Sequence, residues 1–292
     1  MNFVKLSKLW FGLGALLVAA SLAVLIFNWR TTGQIFNLGI DFTGGTVWII
    51  RFAQPVALAD LRAGLSGERV DITTIKAQNS AAEDFRLKTV ELSDEQREQF
   101  TTVLRENFGA YEILSFENIG ASAGSDLARQ ALVLTVLVLS GMLIYITFRF
   151  EFWTGLAAAL CLLHDVLVTL GVVSFLRLDF NLSMIAAVLT IVGYSINATI
   201  IIFDRVRENL QSGQQTEQQP DFAAVANASL HSVLGRCLMT SFTTMLAVLA
   251  VYIFGGASIK NFALTMFIGF AAGTYSSIFL AAPLYALFRK AA

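Results

Sequence analysis

The stretch GYSINATIIIFDRVREN, from Gly193 to Asn209, sets hydroxyls and an amide on consecutive turns of an apolar run, then breaks into alternating charge. Thr190, Tyr194, Asn197 and Ile201 fall at i, i+4, i+7 and i+11, one stripe of a helix, with Ser195 and Thr199 beside it. Two readings stand for such groups in a bilayer. They bond across helices as packing glue, worth about 1 kcal/mol each, or they line a path for an ion. His164 and Asp165 sit in the middle of another apolar stretch with the same two readings. Arg236 heads a third, followed by Thr240, Ser241, Thr243 and Thr244. It either snorkels to the membrane surface or faces the polar stripe and answers an acid there. Asp204, Arg205, Arg207 and Glu208 form an interfacial stop with local ion pairs, and Gly269-x-x-x-Gly273-x-x-x-Ser277 is a small-residue face for close helix contact.

The elements that must carry these residues are set by composition. The chain of 292 residues is 56% hydrophobic and 14% charged, with a mean hydropathy of +0.67. A soluble domain carries about a quarter charged residues, so this is membrane-protein composition. Six stretches are long enough to cross a bilayer: Leu9–Phe27, Gln130–Phe148, Phe152–Leu176, Phe180–Phe203, Cys237–Ile259 and Phe262–Phe288. The first is read as an uncleaved anchor, although AASLA within it resembles a cleavage site. Lys5, Lys8, Arg149, Arg205, Arg207, Arg236, Arg289 and Lys290 fall on one side, with only Arg177 and Lys260 in the short loops of the other. Both termini are therefore expected in the cytoplasm and residues 30–126 outside. Charge agrees: residues 30–126 hold 14 acidic and 9 basic residues, the remainder 7 and 11. The domain plan is a first transmembrane helix over 1–29, a periplasmic α+β domain over 30–126, and a five-helix transmembrane domain over 127–292 with a cytoplasmic loop at about 204–235.

The exported segment reads as β-α-β-β-α-β. TVWIIRF (Thr46–Phe52), RVDITTIKA (Arg69–Ala77), DFRLKTVEL (Asp84–Leu92) and AYEILSFENIG (Ala110–Gly120) are strand-like. LADLRAGL (Leu58–Leu65) is helical, and SDEQREQFTTVLRENF (Ser93–Phe108) opens on an acidic turn suited to a helix start. That order is ferredoxin-like, and GASAG (Gly120–Gly124) reads as the linker back to the membrane. The expected fold class is an α-helical polytopic membrane protein with six transmembrane helices and one exported α+β, ferredoxin-like domain between helices 1 and 2. No P-loop is present, so an ATPase is disfavoured. No Cys/His pattern suggests zinc, and Cys161 and Cys237 both lie in apolar runs, so neither a metal nor a disulfide is expected.

Several motifs resemble the SecD/SecF family of bacterial protein export, and SecF within it. GIDFTGGT, carrying Gly39, Asp41, Phe42, Gly44, Gly45 and Thr46, resembles the family signature that follows a first span. LLHDVLVTLGV (Leu162–Val172), VGYSINATIIIFDRVREN (Val192–Asn209), SLHSVLGRCLMTSFTTML (Ser229–Leu246) and FALTMFIGFAAGTYSSIF (Phe262–Phe279) continue the match in order and spacing. The resemblance implies a six-span module related to the RND superfamily, paired with SecD in a pseudo-symmetric twelve-helix bundle in the inner membrane. It implies use of the proton motive force, or sodium in some relatives, to promote late preprotein translocation. The implied companions are the SecYEG channel, the SecA ATPase, YajC, YidC, the emerging preprotein and membrane lipid. No nucleic acid, cofactor or catalytic activity is implied.

One position departs from the family pattern. Family members carry aspartate after the asparagine of Y-S-[IL]-N-D, and this chain has Ala198. The resemblance makes that aspartate the candidate carrier of the coupling proton, since an acid held between helices near an arginine can change charge with its surroundings. Three readings are open: an introduced substitution, a natural loss with the partner supplying the acid, or compensation by Asp165. Tyr194, Ser195, Asn197, Thr199, Arg236, His164 and Asp165, with Ala198, make up the expected ion-coupling site. Two other function classes are weighed. An RND-type small-molecule or lipid exporter normally joins two such halves with larger exported domains. An intramembrane hydrolase using Ser195 and His164 lacks the nucleophile-elbow pattern and oxyanion donors.

Overall fold

The computed structural model describes residues 3–65, 70–75, 84–213 and 221–291. The outer ends of the strand expected at 69–77, and residues 214–220 of the polar connection, lie outside the described residues. In chain order the elements begin with α1 (Ser7–Thr32), β1 (Asn37–Leu38), α2 (Ile40–Thr43), β2 (Gly45–Phe52) and α3 (Leu58–Gly64). There follow β3 (Val70–Ile75), β4 (Asp84–Thr89), α4 (Asp94–Phe108), β5 (Tyr111–Ile119) and α5 (Ala121–Arg149). The remainder is α6 (Phe152–Phe175), β6 (Asp179–Phe180), α7 (Leu182–Gly213), α8 (Phe222–Phe254), and α9 (Ala257–Tyr275). The last helix passes through a π-helical stretch, Ser276–Ala281, into α10 (Ala282–Ala291).

Among the described residues, six helices are long and apolar enough to cross a membrane, the sixth running Ser258–Lys290. The chain divides into two compact units, residues 38–133 with 255–260, and the rest. In the first, β2 pairs antiparallel with both β4 and β5, and β3 pairs with β4, giving the order β3-β4-β2-β5. With the β-α-β-β-α-β chain order this is a ferredoxin-like sheet. Its core is apolar and aromatic: Trp48, Ile50 and Phe52 of β2 meet Leu61, Phe85, Leu87, Phe100 and Leu104. Ser93 starts α4 with a capping box, accepting from the Gln96 N–H while the Gln96 side chain accepts from the Ser93 N–H.

The paired glycines of GIDFTGGT have a backbone reason. Gly44 and Gly45 hold φ of +67° and +126°, open to glycine and strained for other residues. A Cβ on Gly44 would stand 2.8 Å from the Ala121 Cα, and one on Gly45 would stand 2.5 Å from the Thr89 carbonyl oxygen. Thr46 Oγ1 donates to Asn118 Oδ1 at 2.7 Å, tying the start of β2 to β5. Gly39 stands at the start of α2, and Asp41 and Phe42 lie within it.

Three stretches differ from the sequence expectation. The expected linker Gly120–Gly124 is largely the first turn of α5, whose Ala121 N–H donates to Glu91 Oε2 at 3.0 Å. Its small residues serve close approach, since a Cβ on Gly124 would lie 2.9 Å from the Gly44 nitrogen. The fifth span starts at Phe222 and stops at Phe254, so Ile259 belongs to the next helix. Where a loop was expected at about 204–235, α7 runs to Gly213 and α8 begins at Phe222.

In the helical unit, α6 is central: 56% of its most apolar window is buried, against 11% for α1 and α5. A Cβ on Gly171 of α6 would overlap Ser21 of α1, so the two backbones touch there. The small-residue face of the last span meets α7, with Gly269 against Ile191, Gly273 against Ser195, and Ser277 Oγ 3.0 Å from Thr199 Oγ1. Between helices in lipid, such close packing and hydrogen bonding take the place of hydrophobic collapse.

Candidate functional site

Asp165 is the only acidic residue in the six apolar stretches read from the sequence, and it is fully buried. Three helices meet on its side chain. Ser195 Oγ of α7 donates to Oδ2 at 2.5 Å, and Ser276 Oγ of the π-helical stretch donates to the same oxygen at 2.7 Å. The neighbouring His164 has its Nδ1 2.9 Å from Oδ1. One turn on, Thr169 Oγ1 donates to the Asp165 carbonyl at 2.7 Å. His164 is itself buried, and its Nε2 has no hydrogen-bond partner among the described residues. The carboxyl thus meets two hydroxyls and an imidazole, with no arginine or lysine among its hydrogen-bond partners in the described residues.

The wide turn is what brings Ser276 in. A π-helix closes i→i+5 bonds and appears as single turns, often where a side chain has work to do. Here it occupies Ser276–Ala281, at the point where the last span crosses α6 and α7.

A second polar node lies between α7, α8 and α9. Tyr194 OH donates to Ser241 Oγ at 2.9 Å, and Thr274 Oγ1 is 2.9 Å from the same oxygen. The Tyr194 ring packs on Phe270, centroids 4.3 Å apart.

The expected site residues therefore part company. Asp165, His164 and Ser195 share one node, with Thr199 one turn along α7, bonded to Ser277. Tyr194 belongs to the second node. Asn197 is exposed on α7 and makes no side-chain hydrogen bond among the described residues, and Ala198 is half-buried. Arg236 is exposed and lines a cleft with Ile201, Asp204, Arg205 and Glu208, away from both nodes. Arg205 Nη1 donates to Glu208 Oε2 at 2.6 Å, the local pair expected there. Asp204 instead accepts from Arg149 of α5 at 2.5 and 2.7 Å. Ser276 and Thr274 escaped the sequence reading. Ser276 is one place off the small-residue stripe, and a π turn that changes the phase leaves no mark in residue spacing.

The family described as protein export membrane protein SecD/SecF, C-terminal, matches residues 99–291, and the SecD/SecF GG motif matches residues 36–56. The chain is 38% identical over 294 residues to the protein translocase subunit SecF of Acidaminococcus fermentans, covering 99% of this chain and 97% of that one. It is 38% identical to the SecF of Haemophilus influenzae, covering 96% and 83%. The crystal structure of SecDF, a translocon-associated membrane protein from Thermus thermophilus, superposes with a TM-score of 0.86 at 34% identity. That match covers 99% of this chain, which spans 39% of the SecDF chain. The fold and its polar bundle are thus those of a multi-pass protein-export membrane protein. Within that class, the chain belongs to the SecF family of protein translocase subunits.

Proposed function

We propose that this chain works with SecD as the ion-coupled accessory part of the Sec translocase, using the proton motive force to promote late preprotein translocation. Asp165 is the group within this chain that takes up and releases the coupling proton. The observation that carries this is a carboxyl fully buried among three helices, whose hydrogen-bond partners among the described residues include two hydroxyls and no arginine or lysine. An acid so placed can change protonation state as helices shift, and each change alters which hydroxyls it can hold. The pairing with SecD draws on the length of the SecDF chain beyond the part matched here and on the exposed polar face of α7 at Thr190 and Asn197. SecYEG, SecA, YajC and YidC are the companions in this reading. The chain lies in the bacterial inner membrane with both termini cytoplasmic, as its Lys and Arg distribution favours, and residues about 30–126 meet the emerging preprotein in the periplasm.

The test is preprotein translocation into inverted vesicles from cells lacking their own SecF, with and without an ion gradient. The chain as given, Asp165→Asn and Ala198→Asp are each co-expressed with SecD. The expected result is gradient-dependent translocation with the chain as given and its loss with Asp165→Asn. Full gradient response in Asp165→Asn, with a gain in Ala198→Asp, moves the coupling group to the outer face of α7. No gradient-dependent gain from any of the three sinks the functional reading itself.

A further inference from the structure

At the end of the helical unit where α5 gives way to α6, a cleft of about 490 Å³ opens between these helices, α7 and α10. Three arginines line it, Arg149, Arg207 and Arg289, against two carboxylates, Asp204 and Glu151. Arg149 is committed to Asp204. Arg289 reaches Glu151 through Nη2 at 2.9 Å, but its Nε is buried with no hydrogen-bond partner. Arg207 makes no ion pair among the described residues. Each carboxylate is therefore already held, and two guanidinium groups on one cleft keep donors to spare. Guanidinium forks match a tetrahedral oxyanion with several acceptors.

The rim says where that anion comes from. Phe148, at the end of the α5 span, lines the cleft and is 88% exposed, and Phe152, the first residue of α6, is 71% exposed. Phenylalanine rings have no polar edge, so rings bared at the end of membrane spans face acyl chains rather than water. A cationic cleft between helices at that level fits a phosphate with acyl chains attached.

We infer that this cleft binds the phosphate group of an anionic phospholipid, held by Arg207 and Arg289, with its acyl chains running past Phe148 into the bilayer.

The experiment uses the full chain co-purified with SecD in detergent. Phosphatidylglycerol, phosphatidylcholine and inorganic phosphate are titrated separately and followed by native mass spectrometry and thermal unfolding. Phosphatidylglycerol is expected to bind and raise the unfolding temperature, and phosphatidylcholine to do neither. Arg207→Gln with Arg289→Gln weakens phosphatidylglycerol binding about 25-fold, at about fivefold for each interfacial arginine removed. Arg207→Gln alone, at an exposed position where folding is not at risk, weakens it about fivefold. Lys8→Gln, a basic residue outside the cleft, leaves binding unchanged. Equal losses in Lys8→Gln and Arg207→Gln overturn the proposal in favour of diffuse surface attraction. Inorganic phosphate that matches the lipid at equal concentration assigns the cleft to a free anion. A glutamate-rich peptide that displaces the lipid and is itself lost in Arg207→Gln assigns it to a protein partner.

Discussion

Each unit of the chain buries a carboxyl, and the surroundings of the two differ. In the sheet unit, Asp84 accepts from Arg51 Nε and Nη2 at 2.7 and 3.0 Å, a forked pair at the edge of an aromatic core. That bond raises the Arg51 pKa above its usual value, on a side chain that is cationic in any case. In the bundle, Asp165 has hydroxyls and an imidazole instead. One carboxyl is locked by a fixed counter-charge, while the other is held by groups that suit more than one protonation state. The contrast extends to what holds each unit together. Water drives burial of Trp48 and its neighbours, whereas lipid offers helices no such gain, and the bundle relies on touching backbones and shared hydroxyls.

That comparison can be broken most forcefully at Trp48. Trp48→Ala is expected to cost about 3–5 kcal/mol. In the full chain, hydrogen exchange should quicken across β2, β4 and β5 while α6 and α7 keep their protection. Equal loss of protection in the bundle would mean that the two units share one core. A smaller effect is expected from Ser241→Ala, which removes the centre of the second polar node. About 1 kcal/mol is the scale for a hydrogen bond between membrane helices, read as a modest fall in the unfolding temperature of the full chain. A loss as large as that of Trp48→Ala would show hydroxyls dominating the bundle. The smallest effect is alkaline. Burial raises the Tyr111 hydroxyl pKa above its usual value of 10.0, so the folded unit keeps that proton longer than the unfolded chain does. The resulting stability is full below about pH 10 and is lost as pH rises through the folded pKa. Tyr111→Phe should flatten that alkaline decline in the exchange of β5, and an unchanged slope would exclude Tyr111 as its source.

Much of this architecture was legible in the chain because hydropathy and alternation act locally. All six spans, the strand and helix order of the sheet unit and the start of α4 at Ser93 follow from runs of a few residues. The ends of α5 and α8 did not, because turns such as Ala121–Asp126 and Phe222–Leu230 add helix beyond the most apolar run. Asp165 stood out as an acid in a greasy stretch, but its partners did not. Ser195 and Ser276 lie 30 and 111 positions away, and only the packing of three helices joins them. Arg236 was legible only as a choice. Its two open readings were a membrane-surface position and a place against the polar stripe, and it lines a cleft with Ile201 at the end of that stripe and with Asp204 and Glu208.

The π-helical stretch at Ser276–Ala281 gives the last span one residue more than a regular α-helix would hold in the same length. A regular helix turns about 100° and climbs about 1.5 Å per residue, so that surplus is a stored increment of rotation. Moving the wide turn one place along the helix keeps the same number of backbone bonds while swinging Ser276 away from Asp165. In its present position the wide turn sets Ser276 against Asp165 while Ser277, the next residue, faces Thr199 of α7.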